Sequence, residues 1–165
     1  GVMFLKVIMK TIIKSPADCT ESEIDTFVRM TEEGGQVSTY QLRNKILRAQ
    51  KLVFIYNNEN CVAIGALKTP ADSYKTKVFN AAGVKDKLTT YHFEIGYIYA
   101  TVSGVGNQLM EGVIEASGES AIFATTRNSN AVMQYLLPKF GLNKLGKSYK
   151  NDSGKYLLGL FGSET

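Results

Sequence analysis

One acidic side chain, Glu94, stands inside a run that is otherwise aromatic, aliphatic or glycine, Phe93-Glu-Ile-Gly-Tyr-Ile-Tyr-Ala100. A carboxylate in such a strand is a candidate to take a proton from a reacting group. The competing reading puts it on the solvent side of the strand or against a lysine. His92, the only histidine, lies two residues earlier and shares the face of Glu94 under strict alternation, which makes it the second candidate. Directly after the strand come Gly104 and Gly106, followed by apolar residues at the helical spacing Leu109, Val113, Ile114 and Ala116. Glycines at a strand-to-helix junction leave backbone N–H groups unpaired at the first helical turn, and their lack of Cβ lets a bulky anion come close. Such a turn can cradle phosphate.

The flanks narrow the kind of phosphate. A dinucleotide-binding turn calls for a third glycine where Leu109 stands and for an acid after the next strand, where Ala121 to Thr126 is instead followed by Arg127. A P-loop lysine is also missing. Main-chain donors without lysine or metal suit the diphosphate of coenzyme A.

At this point the chain resembles the GNAT superfamily of acyl-CoA-dependent N-acyltransferases, from about Thr20 to Phe161. The family's pyrophosphate motif, Arg/Gln-x-x-Gly-x-Gly/Ala, is matched by Thr101-Val-Ser-Gly104-Val-Gly106, with Thr101 in place of the leading Arg or Gln. Further on, Asn130-Ala-Val-Met133-Gln-Tyr-Leu-Leu137-Pro-Lys139-Phe-Gly141-Leu142 is similar to the family's second signature, an Asn followed by a helix that ends in Gly-Phe; Leu142 stands where Phe is usual.

The resemblance implies transfer of an acetyl group from acetyl-CoA to a primary amine of a small molecule or protein, by direct attack in a ternary complex and without metal. It implies that Ile98, Tyr99, Ala100, Val102, Ser103, Gly104, Val105, Gly106, Asn107, Gln108 and Asn130 hold the cosubstrate, with Asn128 as fallback for Asn130. The Tyr99 N–H would polarise the thioester carbonyl beside a bulge in the strand. Glu94 would be the base, needed because an ordinary lysine amine has a pKa of about 10.4. The family's general acid is a tyrosine four residues before the glycine, which here falls on Leu137; Tyr135 is the nearest tyrosine, about 200° away around the helix. Tyr149 is the alternative. A non-catalytic acyl-CoA-binding sensor or scaffold of the same fold is the alternative function.

These residues need a scaffold. The resemblance implies a single-domain α/β (α+β) fold over residues 1–165: a mixed, mostly antiparallel twisted sheet of about six to seven strands, about four flanking helices, and parallel, splayed fourth and fifth strands. Local signals give Phe4 to Lys14 as a first strand, a capping box at Thr20-Glu-Ser-Glu23 opening a helix, and a second helix over Thr39 to Ala49. A hairpin of Lys51 to Tyr56 with Cys61 to Lys68 follows. Thr69 to Thr89 is irregular, with a short helix over Tyr74 to Ala82. Ala121 to Thr126 is a fifth strand reached by a right-handed crossover, Ser129 to Lys139 a helix, and Leu145 to Lys150 with Lys155 to Phe161 a closing hairpin.

Composition agrees with one globular unit: 44% hydrophobic and 21% charged among 165 residues, with no run long enough to span a bilayer. Cys19 and Cys61 lack partners at metal spacing and read as reduced thiols of a cytoplasmic protein. The opening Gly1-Val-Met-Phe-Leu-Lys-Val-Ile is short and carries no cleavage site, so no secretory signal is read in it. A net charge of +4 allows a basic patch, but the basic residues are dispersed and no nucleic-acid motif is present. The expected partner is thus an amine acceptor, not nucleic acid or membrane, and a homodimer is allowed for.

Overall fold

In a computed structural model, residues 9–35 and 37–164 are described. The stretch Phe4 to Ile8 of the expected first strand lies outside them; the rest is β1, Lys10–Lys14. Helix α1, Glu21–Gly34, starts on the capping box, with Thr20 Oγ1 accepting from the Glu23 N–H and the Glu23 carboxylate accepting from the Thr20 N–H. It stops at Gly35, whose left-handed backbone (φ 66°) ends the turn as such glycines commonly do. Helix α2 is shorter than its pattern suggests, Leu42–Leu47. The hairpin β2, Lys51–Asn57, and β3, Asn60–Lys68, turns through Asn58 at φ 56°. The irregular stretch contains α3, Asp72–Ala81. Then come β4 (Phe93–Ala100), α4 (Gly106–Ser117), β5 (Ile122–Arg127), α5 (Ala131–Lys139), β6 (Leu142–Lys150) and β7 (Leu157–Ser163).

The strands form one sheet in the order β1-β2-β3-β4-β5-β7-β6, antiparallel throughout except for the parallel pair β4–β5. Alternation along β2 shows how the layers arise: Val53 and Ile55 pack with α4 and α5 residues Leu109, Val113 and Leu137, whereas Leu52 and Phe54 pack with Phe27 and Ile46 of α1 and α2. Each such buried side chain contributes ~1.5–3 kcal/mol of transfer free energy. Helix α3 makes a third cluster, setting Val78 and Phe79 on Phe123 and Leu160 of the β5–β7 half. Glu94 pairs with Lys68 of β3 on one side and Phe123 of β5 on the other, between the halves. No helix of the described residues is long and apolar enough to cross a membrane.

Beyond this packing, a backbone bond ties the end of helix α3 to β6. The register of β6 against β7 slips between Leu145 and Tyr149, Gly146 takes φ 63°, and the Lys147 N–H bonds the Ala82 carbonyl at 3.0 Å. A Cβ on Gly146 would collide with that carbonyl oxygen. Gly146→Ala is therefore expected to destabilise the fold: the left-handed backbone alone costs about 1–2 kcal/mol, and the clash adds to it. The thermal midpoint should fall by roughly 2–4 °C per kcal/mol lost. An unchanged midpoint would mean that this contact gives way freely.

Candidate active site

Strand β4 is bent at its centre. Tyr97 has φ 54°, and the pairing with β3 skips from Ile64↔Tyr99 to Ala66↔Gly96, so that two residues of β4 stand against Gly65. A Cβ on Gly65 would meet Ile98 Cδ1 at 2.9 Å, so the glycine leaves room for the bulge residue's side chain over β3. On its other edge β4 pairs with β5 only at Phe93↔Ile122 and Glu94↔Phe123, and past that point the strands diverge. The gap is a cavity of about 480 Å³, bordered by Glu94, Ile98, Thr125, Asn130, Met133 and Tyr156.

A second cavity, about 410 Å³, shares Ile98, Asn130 and Met133 with the gap and runs to the glycine turn. Its wall includes Ile98, Tyr99, Ala100, Val102, Ser103, Gly104, Val105 and Gly106, the residues expected from sequence. Gly104 has φ 84° with open space where a Cβ would be. Among the described residues the N–H groups of Val102 to Gln108 have no backbone partner, the first helical bond being Leu109 N–H to the Val105 carbonyl. Of these, Val102 to Gly106 border the cavity, and a run of unpaired donors at its edge suits a polyanion. Asn107 and Gln108, also expected here, do not border this cavity, and their side chains are engaged elsewhere: Asn107 Oδ1 accepts from Lys139 Nζ at 2.6 Å, and Gln108 Nε2 donates to the Met9 carbonyl at 2.8 Å. Thr101, where the motif has Arg or Gln, turns back onto β3, its N–H bonding the Val62 carbonyl at 2.8 Å.

That last bond corrects one expectation. Tyr99 pairs with Ile64 two steps along the same antiparallel ladder, so its N–H also points at β3, and the N–H facing the gap is that of Ala100. The Tyr99 side chain packs on Gly34 of α1.

Glu94 lies at the closed end of the gap and is 3% exposed. The Tyr74 hydroxyl of α3 donates to Glu94 Oε2 at 2.7 Å. Lys68 Nζ stands 3.5 Å from Oε1 and 4.6 Å from the centre of the Tyr97 ring. At that distance the lysine is an ion-pair partner of Oε1 at the outer limit of a hydrogen bond, and among the described residues no closer donor reaches that buried oxygen. The lysine stem crosses Gly96, where a Cβ would strike its Cδ. Burial pushes the Glu94 carboxyl above the ordinary range, against the pull of the Lys68 charge and the Tyr74 hydrogen bond. Burial first, then the Glu94 charge, raises Tyr74 and pushes Tyr149 to about 12. The Tyr149 hydroxyl is buried without a partner on the far side of Tyr74.

Other expected residues fall outside this group. Tyr135 is 65% exposed and borders none of the cavities around Glu94, because the turn of α5 before Pro138 stays helical and carries it outward. His92 is exposed, precedes β4 and borders none of the cavities around Glu94, its N–H bonding the Ala121 carbonyl. Asn130 caps α5, its Oδ1 accepting from the Met133 N–H at 3.1 Å, and lines both cavities; Asn128 bonds Ser148 instead. Tyr74 and Lys68 were not singled out from sequence. A hairpin register would have set Lys68 opposite Glu94, but no local signal aims Tyr74.

Tyr74→Phe removes a bond that favours the charged carboxylate, so the Glu94 pKa should rise further and the acid limb of any pH–rate profile should move to higher pH. Superimposable profiles would show that the phenol does not support the carboxylate.

A bulged β4, a parallel neighbour that splays from it, and a glycine turn into a helix at the mouth of the gap define the GNAT fold, and this chain has it. Among solved structures it is similar to an acyl-CoA N-acyltransferase from Pseudomonas aeruginosa (16% identity, TM-score 0.68) and to Escherichia coli ElaA (15%, 0.69), in each case over 95% of this chain and 100% of the other. A GNAT-family acetyltransferase from Streptococcus agalactiae matches at 17% identity and TM-score 0.63, over 94% and 96%. No protein-family model and no curated protein matches the sequence.

Proposed function

We propose that this chain is an N-acetyltransferase that uses acetyl-CoA and a primary amine. The observation that carries the reading is continuity: a run of unpaired backbone donors at Val102 to Gly106 borders a cavity that joins, through a wall shared by Ile98, Asn130 and Met133, the gap holding the buried Glu94 carboxylate. The turn would hold the diphosphate, and the gap between β4 and β5 the pantetheine arm. Bound there, acetyl-CoA supplies a thioester carbonyl open to attack by an amine.

The chain's residues have three tasks in this reading. The Ala100 N–H, on the gap side of β4, takes the donor role expected of Tyr99. Glu94 accepts a proton from the incoming ammonium at Oε1, the oxygen that Tyr74 does not hold; burial raises its pKa, so its charged form is a stronger base than a surface carboxylate. Tyr74 holds Oε2 and fixes the direction of Oε1. Tyr149, at about 12, keeps its proton against a thiolate, whose conjugate acid in free cysteine has a pKa of about 8.5, so it is a weak acid for a departing thiol. The proton that reaches sulfur then comes from the attacking nitrogen or from solvent.

Thiol release from acetyl-CoA in the presence of an amine panel, with acetylated product identified by mass, tests the reading. Tight acetyl-CoA binding without turnover of any amine would favour the sensor or scaffold reading.

A further inference from the structure

Beside Glu94, and sharing no residue with the glycine turn, lies a cavity of about 570 Å³ whose charged lining is Lys45, Arg48, Lys68 and Glu94, with Tyr74 and Thr69 among its polar neighbours. Its size is that of a small-molecule site. Its charge is lopsided, with three cations around one carboxylate. Lys68 is spoken for by Glu94 and the Tyr97 ring. Lys45 and Arg48 have no acidic partner among the described residues, although the neighbouring Arg43 pairs with Asp25 at 2.6 Å. They stand three positions apart at the end of α2, so one face presents both to the cavity. Cations at a helix C-terminus offset its dipole, but α2 runs only from Leu42 to Leu47, and a dipole that short does not call for two bases over a cavity. A simple ammonium entering here would share the cavity with three like charges.

We infer that the acceptor is a small amine that also carries an anionic group, a carboxylate or a phosphate, gripped by Lys45 and Arg48 while its amine is turned to Glu94. This rests on the acyl-transfer reading of the same site. The anion neutralises the two unpaired cations, and Arg48 offers a carboxylate or phosphate its paired N–H donors. The ammonium then approaches a site whose net charge no longer opposes it. Specificity follows from the same geometry, since a neutral analogue leaves both cations facing each other unpaired.

Binding and turnover are measured separately, so that the two readings can fail separately. Calorimetry with coenzyme A present compares glycine, β-alanine and γ-aminobutyrate with their carboxamides and with the aminoalkyl phosphonates of matching length. At least one carboxylate or phosphonate should bind about 10-fold or more tightly than its carboxamide, as expected for charge-assisted bonds, and the better of the two anions names the group. In Lys45→Gln/Arg48→Gln the ratio should collapse toward one. Both positions are at least partly exposed, and an unchanged thermal midpoint checks the fold. Equal binding of acids and carboxamides by the wild type, or a ratio untouched by the double variant, overturns the inference. Thiol release with the same compounds tests the chemistry: acids that bind but are never acetylated would sink the acyl-transfer reading and leave the anion site standing. Acetylation with no preference for anionic acceptors would do the reverse.

Discussion

Glu94→Gln should slow acetyl transfer by about 10²–10⁴-fold, the usual cost of losing a general base, with little change in coenzyme A affinity. The substitution keeps the shape and can still accept from Tyr74, but its amide cannot take the amine's proton. The acid limb of the pH–rate profile, which in the wild type reports a carboxyl raised by burial, should flatten. Stability should move in a way that no catalytic defect explains. A carboxyl whose folded pKa is raised contributes stability that is fully present below its unfolded value, about 4.3, and is lost as pH rises through the folded one. The wild type should therefore lose stability over that window relative to Glu94→Gln. Turnover per folded molecule near the wild-type level, combined with a large drop in thermal midpoint, would make Glu94 a structural partner of Lys68 and Tyr74 and nothing more.

Gly106→Asp should abolish coenzyme A binding while the domain stays folded. Gly106 is the first residue of α4, where an acidic side chain interacts favourably with the helix dipole, which offsets the shift its Cβ asks of Leu136; an unchanged thermal midpoint checks the fold. Towards a diphosphate the same carboxylate is a like charge, costing roughly 4 kcal/mol at 4 Å and an effective dielectric of 20, or about a thousandfold in affinity. Gly106→Ala separates bulk from charge: its Cβ would meet Leu136 Cδ1 at 2.9 Å, a methyl at the end of a side chain that can turn aside. The alanine variant should bind more weakly than wild type but far better than aspartate. Equal affinities of the aspartate variant and the wild type, measured by calorimetry, would remove the diphosphate from this turn.

What could be read from the sequence was local. The capping box at Thr20 and Glu23, the Asn57-Asn-Glu-Asn60 turn and the glycines at Gly104 and Gly106 each act within a few residues, and their elements formed where expected. The extent of α2 was overestimated because apolar spacing continues beyond the hydrogen-bonded turns, with Gln41 in a left-handed conformation just before the helix. The site is long-range. Tyr74 reaches Glu94 across 20 positions, and Lys68 does so through strand register. The placement of β7 between β5 and β6 depends on which strand edges remain open once β4 and β5 have paired, something no window of sequence contains. Tyr135 is only the nearest tyrosine to the motif position at Leu137, about 200° away, and its role needs an irregular turn at Pro138; the helix stays regular through Lys139 and leaves it exposed.

The short β4–β5 ladder also has a mechanical side. The sheet amounts to two plates, β1 to β4 and β5-β7-β6, sewn together along a seam two residue pairs long, with α4 and α5 laid across the back. Glu94 and Phe123 sit in the last stitch. An elongated molecule with peptide-like amides, lying between the plates, would continue the seam by offering β4 the hydrogen bonds that β5 does not. The cosubstrate would then be the missing strand of the sheet, and the stiffness of the whole domain a property shared between the chain and what it carries.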